Sequence, residues 1–450
     1  MAVVTVQGAS QQAFSVTVDG ARAQALANQY AAGVGGISAA NGSSVLDLVP
    51  GSTTSVSAQH GLVSAGGNYS IGGSLSNITV GSYGPTDTLN SAVTIDLTKS
   101  TASGVNILAG DWAGATVLAG SQSGIFVGGI GNNVFSGASA SGNWNIATGS
   151  GNDTINATNG NNTIADGVGN NLITLGSGVN SVLSEGQDTI TGTSGTNTVT
   201  LIGGSSQVSL GANSTIIDGA SNNNVTFGTN SYVAAGSASS YFSTGSVSTV
   251  VGGLGDTVSA TGNLQVVRGT ANNISVSGAL SFLNGTGSTT ISAGTSTIFG
   301  AGALNAQLTG SGTSLFIGNE GNETISAAST TGVLHAFAGT GNETLIGGNG
   351  ADTLVGGTGN ATLTGGTGAA NLFALNKGSA GGNYTITDFG SAAGNLMALY
   401  QYGLQNNNGL QSVLQNATVA GGNTTIQLSD SSKITFVGVT NLKASNFTLS

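Results

Sequence analysis

Along most of the chain the apolar residues arrive singly and at a fixed interval. Leu108, Val117, Phe126 and Phe135 are each nine residues apart. From residue 148 to 183 four blocks of nine align without a gap: TGSGNDTIN, ATNGNNTIA, DGVGNNLIT and LGSGVNSVL. The fourth position holds Gly151, Gly160, Gly169 and Gly178, and the sixth holds Asp153, Asn162, Asn171 and Asn180. The eighth is Ile155, Ile164, Ile173 and Val182. The register returns over residues 338–373 as AGTGNETLI, GGNGADTLV, GGTGNATLT and GGTGAANLF. Between these stretches, from about 200 to 317, the spacing drifts between eight and ten while the composition holds.

A fixed short period marks a stacked repeat. The first six residues of each nonamer predict a turn, in which glycine permits positive φ and close approach of neighbouring backbones. The last three predict a short strand, with position eight facing inward and positions seven and nine outward. Two nonamers make a coil of about 18 residues, and coils stack as parallel strands about 4.8 Å apart. A single coil cannot hide its apolar face, so the stack is the cooperative unit. The predicted fold class is all-β, a parallel β-solenoid. Its inward row is expected to hold Leu108, Val117, Phe126, Phe135, Ile155, Ile164, Ile173 and Val182.

The ends break the period. VVTV and FSVTV near the N-terminus alternate as two short strands. Asp19 then offers an N-cap for a helix through ARAQALANQYAA, with Ala25, Leu26, Gln29 and Tyr30 as its modest apolar face and Gly33 as a stop. Four regions follow: an N-terminal cap over 1–45, irregular first coils over 46–107, the nonapeptide solenoid over 108–375, and a C-terminal β cap over 376–450. A cap shields the unpaired strands at an open solenoid end. Met397, Tyr400 and Tyr402 lie in the densest apolar and aromatic cluster, residues 396–416, and are expected to close the C-terminal end.

Composition narrows the function. Only 5% of the 450 residues are charged, against roughly 25% in an ordinary domain. With no Cys, a disulfide framework, a thiolate metal site and a Cys nucleophile are excluded. Six Lys and Arg cannot neutralise a phosphate backbone, so no nucleic acid is expected as partner. The net charge of −11 disfavours an anionic membrane surface. No uninterrupted apolar window is long enough for a transmembrane segment, and the first residues show neither the basic nor the apolar part of a signal peptide. Gly is abundant, at 78 residues, but 38% of the chain is hydrophobic and periodic, unlike a disordered linker.

Gly347–Val355, GGNGADTLV, matches the pattern Gly-Gly-x-Gly-x-Asp-x-aliphatic-x in full. Gly128–Ser136, GGIGNNVFS, differs at Asn133. These segments resemble the repeats-in-toxin (RTX), or hemolysin-type calcium-binding, family. Ile386-Thr-Asp-Phe389 resembles the strand that follows such arrays, and residues 424–447 resemble the hairpin that ends type I secreted proteins. The resemblance implies a parallel β-roll, leaderless export by type I secretion, and an extracellular or cell-surface location. It also implies calcium held between position-six carboxylates of stacked turns.

This chain departs from that pattern where the metal would bind. Position six is mostly Asn, Ala, Ser or Thr. Asp153 meets Asn171 two nonamers on, Asp352 stacks towards Ala370, and Glu343 towards Ala361. Only Glu323 and Glu343 are expected as same-side acid neighbours. No cofactor is required in this reading, and Ca2+ is confined to one or two sites drawn from Glu323, Glu343, Asp352 and Asp153. Asn133, Asn162, Asn171 and Asn180 are read as turn and ladder residues, because Asn keeps an acceptor oxygen and adds a donor.

Catalytic chemistry is missing. Between residues 101 and 376 the only basic residue is Arg268, whereas a lyase needs both a cation and a base. Glu320 and Glu323 are read as turn acids. His60 and His335 stand alone, and Trp112 and Trp144 read as packing or strand-surface residues. The expectation is a secreted non-enzymatic structural solenoid, a surface-layer, matrix or fibre subunit whose partner is itself. A calcium-responsive adhesin or binding module, with a cell-surface glycan as partner, and a carbohydrate-active enzyme are the alternatives.

Overall fold

The structure, a computed structural model, describes residues 1–9, 11–37, 44–51, 58–138, 140–406 and 408–450, with backbone alone over 53–56. The predicted passage from cap to first coils falls partly on residues 38–43, outside the described residues. The chain forms two compact units, Met1–Ser239 and Ser240–Ser450. Each is a parallel β-solenoid.

In Met1–Ser239 short strands alternate between two rows, and each pairs in parallel with the next but one. Ile155 lies beside Ile173 and Ile173 beside Ile190 in one row. Ile146 lies beside Ile164 and Ile164 beside Val182 in the other. Position eight faces its counterpart across the two rows, and the interior is filled by branched aliphatic and aromatic side chains. Phe135 packs between Phe126 at 6.0 Å and Trp144 at 4.9 Å between ring centroids. Coil length varies: 29 residues separate Asn77 from the stacked Asn106, but 18 separate Asp153 from Asn171. The first coils, where no nonamer is visible, are irregular: 15 residues separate Val45 from His60 and 17 separate His60 from Asn77.

Seven of the eight predicted inward residues, from Val117 to Val182, are buried and lie on the inward rows. Leu108 is the correction. Ile107 takes the inward place beside Phe126, and Leu108 lies beside Val127 on the outward side. Adjacent strand residues point to opposite sides, so one of this apolar pair had to face out. The N-terminal layer hides it.

That layer is a hairpin, β1 (Ala2–Gln7) and β2 (Ala13–Val18), followed by α1 (Ala21–Gly35). The helix N-cap is Gly20 at φ 86°, without a side-chain cap bond. Asp19, predicted as the cap, instead accepts from the Met1 ammonium at 2.8 Å and from Ser150 Oγ at 2.9 Å. The helix runs through Gly33, and it buries Ala23, Leu26, Ala27, Tyr30 and Val34. Their spacing is one helical stripe. Ala25 and Gln29 face solvent. The stripe packs with Leu62, Leu108, Val127, Ala147 and Ala165, an outward row, so the layer covers the side of the coils and not an open end. Replacing Leu26 by Ala is expected to cost about 2–4 kcal/mol. A urea midpoint equal to that of the parent would show that this face carries no such burial.

His60 lies beneath the helix. Its Nε2 is 2.7 Å from Thr79 Oγ1, which also meets the Tyr30 hydroxyl at 2.8 Å. Burial pulls the imidazole down to about 4, so it is neutral at physiological pH and serves packing.

Ser240–Ser450 has a two-row winding of its own. Coils tighten to 16 residues between Asp256 and Asn272, and return to 18 between Leu334 and Asp352. At the C-terminal end Asn423–Gln427 and Lys433–Phe436 form an antiparallel hairpin, while Phe447–Leu449 adds in parallel to Leu396–Tyr400. Phe373, Phe389, Phe436 and Phe447 follow one another at 5.8, 5.0 and 6.3 Å and fill this end. Met397 is buried in the stack, Tyr400 is half-buried, and the Tyr402 hydroxyl donates to Asp430 at 2.6 Å.

Candidate functional site

The turns between strands stack as closely as the strands do. A Cβ on Gly169 would lie 1.7 Å from the Gly151 carbonyl oxygen one coil before it, so position four must be glycine here. At such spacing the position-six backbone N–H is buried at the entry to the strand. An unpaired buried N–H is costly, and each needs an acceptor.

Side chains of the next coil supply it. In Met1–Ser239, Asn133 Oδ1 accepts from the N–H of Ala115 at 3.1 Å, and Asp153 Oδ1 accepts from that of Asn133 at 2.6 Å. Asn171 Oδ1 then accepts from Asp153 at 2.8 Å, and Asp188 Oδ1 from Asn171 at 2.9 Å. Ser206 Oγ and Asn223 Oδ1 continue the series at 3.0 and 2.7 Å. On the other edge Asn162 Oδ1 takes the Trp144 N–H at 3.2 Å. There the amides also bond to each other, Asn162 donating to Asn180 at 2.9 Å and Asn180 to Asn197 at 3.0 Å. In Ser240–Ser450 the same bond links Asp352 Oδ1 to the Leu334 N–H at 2.7 Å, and Asn371 Oδ1 to the Asp352 N–H at 2.8 Å. Asp352 therefore stacks on Asn371 and not on Ala370, because that coil is one residue longer than two nonamers.

Acids sit inside this ladder. Glu323 stacks on Glu343, since Thr324 pairs with Thr344, and Glu343 stacks on Ala361. It is not the only same-side pair. Asp166, at position one of its nonamer, lies against Asp188, close enough for their carboxyls to bond. Asp166 Oδ1 accepts from the Glu185 N–H at 3.2 Å, whereas Asp166 Oδ2 and Asp153 Oδ2 are buried without a hydrogen-bond partner in the protein. Burial, with Asp188 second, pushes the Asp166 carboxyl up to about 9. Burial pushes Asp153 up to about 6. At neutral pH Asp166 therefore holds its proton.

These acids differ as metal ligands. Glu323 spends both oxygens on the N–H groups of Gly302 and Asn319, and Asp352 both of its own on Leu334 and Gly348. Glu343 keeps Oε2 without a partner, and burial raises its carboxyl above the usual range. Among the described residues no group of three or more acid or His side chains could hold a metal ion. Calcium takes six to eight oxygens, so backbone carbonyls would have to complete any site. The Asp166–Asp188 pair offers one unspent oxygen, Asp166 Oδ2, since Asp188 gives both of its own to Asn171, Ser184 and Gly186. Asp166 was invisible to a register that looked only at position six. Asp188 could have been found by letting one residue drop before LSEGQDTI, which puts it at position six.

The model of the RTX calcium-binding nonapeptide repeat matches residues 148–182 and 337–371. No curated protein and no solved structure is similar enough to match. The stacked parallel coils and these repeats fit an RTX-type β-roll repeat protein. Repeats of this kind point to calcium binding and to extracellular proteins exported by type I secretion. No helix of the described residues is long and apolar enough to cross a membrane.

Proposed function

We propose that this is a non-enzymatic extracellular structural solenoid, a surface-layer, matrix or fibre subunit that associates with itself. Side-chain oxygens hold its turns together, and calcium is confined to turn acids that keep an oxygen unspent, such as Asp166 and Glu343. The observation that carries this reading is the ladder just described. Every oxygen it uses meets a buried N–H that would otherwise go unpaired, and most of its members are uncharged. Such a ladder holds without a cation at each turn. Glu320 is exposed and Glu323 is buried on two backbone bonds, an arrangement that supplies no pair of carboxylates for glycoside hydrolysis.

The test is thermal unfolding in chelator and in millimolar calcium. The chain is expected to be folded in both. Calcium at a hundred times its dissociation constant for one site would add about 2.7 kcal/mol, a rise of a few degrees. A chain that is unfolded in chelator and folds only with calcium would overturn the reading. Electron microscopy of the same samples reads the assembly, expected in both conditions.

A further inference from the structure

The two outward faces of the coils in Ser240–Ser450 differ in kind. One carries polar columns. Thr324, Thr344, Thr362, Thr385 and Thr435 follow one another from coil to coil. Beside them Asn322, Asn342, Asn360 and Asn383 are joined by amide bonds of 2.9–3.1 Å. The other face carries an apolar row: Val267, Leu283, Phe299, Ile317, Phe337 and Val355. Each follows a fully buried inward residue, from Val266 to Leu354, and so points out. Phe299 is 37% and Phe337 41% exposed. In Met1–Ser239 the outward row Leu108, Val127, Ala147 and Ala165 has a comparable apolar character, and α1 covers it.

We propose that this apolar row is the interface through which two copies of the chain associate, face to face about a two-fold axis near Ile317. The inference rests on the self-association proposed above and names its surface. Three observations select a second copy as the occupant. The first is charge. The chain carries −11 overall, yet this row and the strand positions preceding it, Gln265, Ser281, Thr297, Leu315, His335 and Thr353, contain no carboxylate. Two acidic molecules can meet there without opposing their charges. The second is repeat. Six coils at about 4.8 Å give a straight row of roughly 25 Å, and a second copy presents the same spacing throughout. The third is relief. Grooves of about 440 Å³, beside Phe299, Gly300 and Ile317, and about 590 Å³, beside Phe337, Val355 and Gly356, lie along the row. A two-fold places Phe337 of each copy in the groove beside Phe299 of the other, and the reverse, which is the self-complementarity an isologous contact demands. The row is narrow, so its area falls at the low end of specific interfaces and the association is reversible.

Sedimentation velocity of the full chain, in chelator and in calcium, is the test. A dimer is expected to grow with concentration. Phe337→Glu should weaken it at least about tenfold, while Thr362→Glu on the polar face should leave it unchanged. Circular dichroism confirms that both variants are folded. Because the chain has no Cys, Ile317→Cys should oxidise to a covalent dimer and Thr344→Cys should not. A monomer at every concentration, an equal effect of Thr362→Glu, or equal crosslinking from Thr344→Cys would overturn the proposal. Assembly that survives Phe337→Glu and crosslinks through the polar face would leave self-association standing and remove this interface.

Discussion

In chelator, Asn171→Asp is expected to destabilise Met1–Ser239 by about 3–5 kcal/mol. Asn171 accepts from the Asp153 N–H, and its Nδ2 donates to Asp188 Oδ1 at 2.9 Å. A carboxylate keeps the first bond and loses the second. It also faces Asp188 acceptor to acceptor, and it puts a third acid between Asp153 and Asp188 in buried surroundings. The variant restores the family's acid pattern on three stacked turns, so calcium should recover what the substitution removes. Above the dissociation constant, each tenfold rise in free calcium adds about 1.4 kcal/mol for one site. Denaturant unfolding across a calcium series reads both effects. Parental stability in chelator would mean that the amide is a turn former and not a ladder member. A loss that calcium does not repair would mean that the three acids do not converge on an ion.

The second large effect is the response to pH. Asp166 is pushed up to about 9 by burial and by Asp188, with Asp153 raised to about 6; an unfolded Asp titrates near 4. Between about pH 4 and 9 the folded chain holds a proton that the unfolded chain has released. Stability from this group is therefore full below about pH 4 and is lost as pH rises through 9. In chelator the parent should lose up to about 1.4 kcal/mol per pH unit from this proton, with a smaller fall through about pH 6 from Asp153. Asp166→Asn keeps the shape and removes the titration, so its profile should flatten and its stability at alkaline pH should exceed the parent's. A parent stable to the same degree from about pH 5 to about pH 9 would show that Asp166 is hydrated and charged.

Much of this molecule is written locally. Nine-residue spacing gives the inward row from Val117 to Val182, the glycine turns and the parallel stacking. Each nonamer has the same task as its neighbour, so local pattern and fold agree. The ladder was legible too, as the Asn residues at position six. The departures arise where a residue's fate depends on a distant segment. Leu108 looked like a member of the inward row, but Ile107 holds that place and α1 hides Leu108. Asp19 looked like a helix cap, but it binds Met1 and Ser150. Asp352 was assigned Ala370 and found Asn371 when one coil ran a residue long.

The acid pair shows the same division most sharply. The sequence by itself determined that this chain winds into parallel coils and that amides replace most of the carboxylates at its turns. Periodicity and residue chemistry at each turn are enough for that. Only the tertiary structure decided that Asp166 meets Asp188, and which outward row receives the N-terminal layer. Coil length sets which residues stack, and a one-residue change in a loop moves every pairing that follows it. Burial then turns those pairings into shifted protons and covered or uncovered apolar rows.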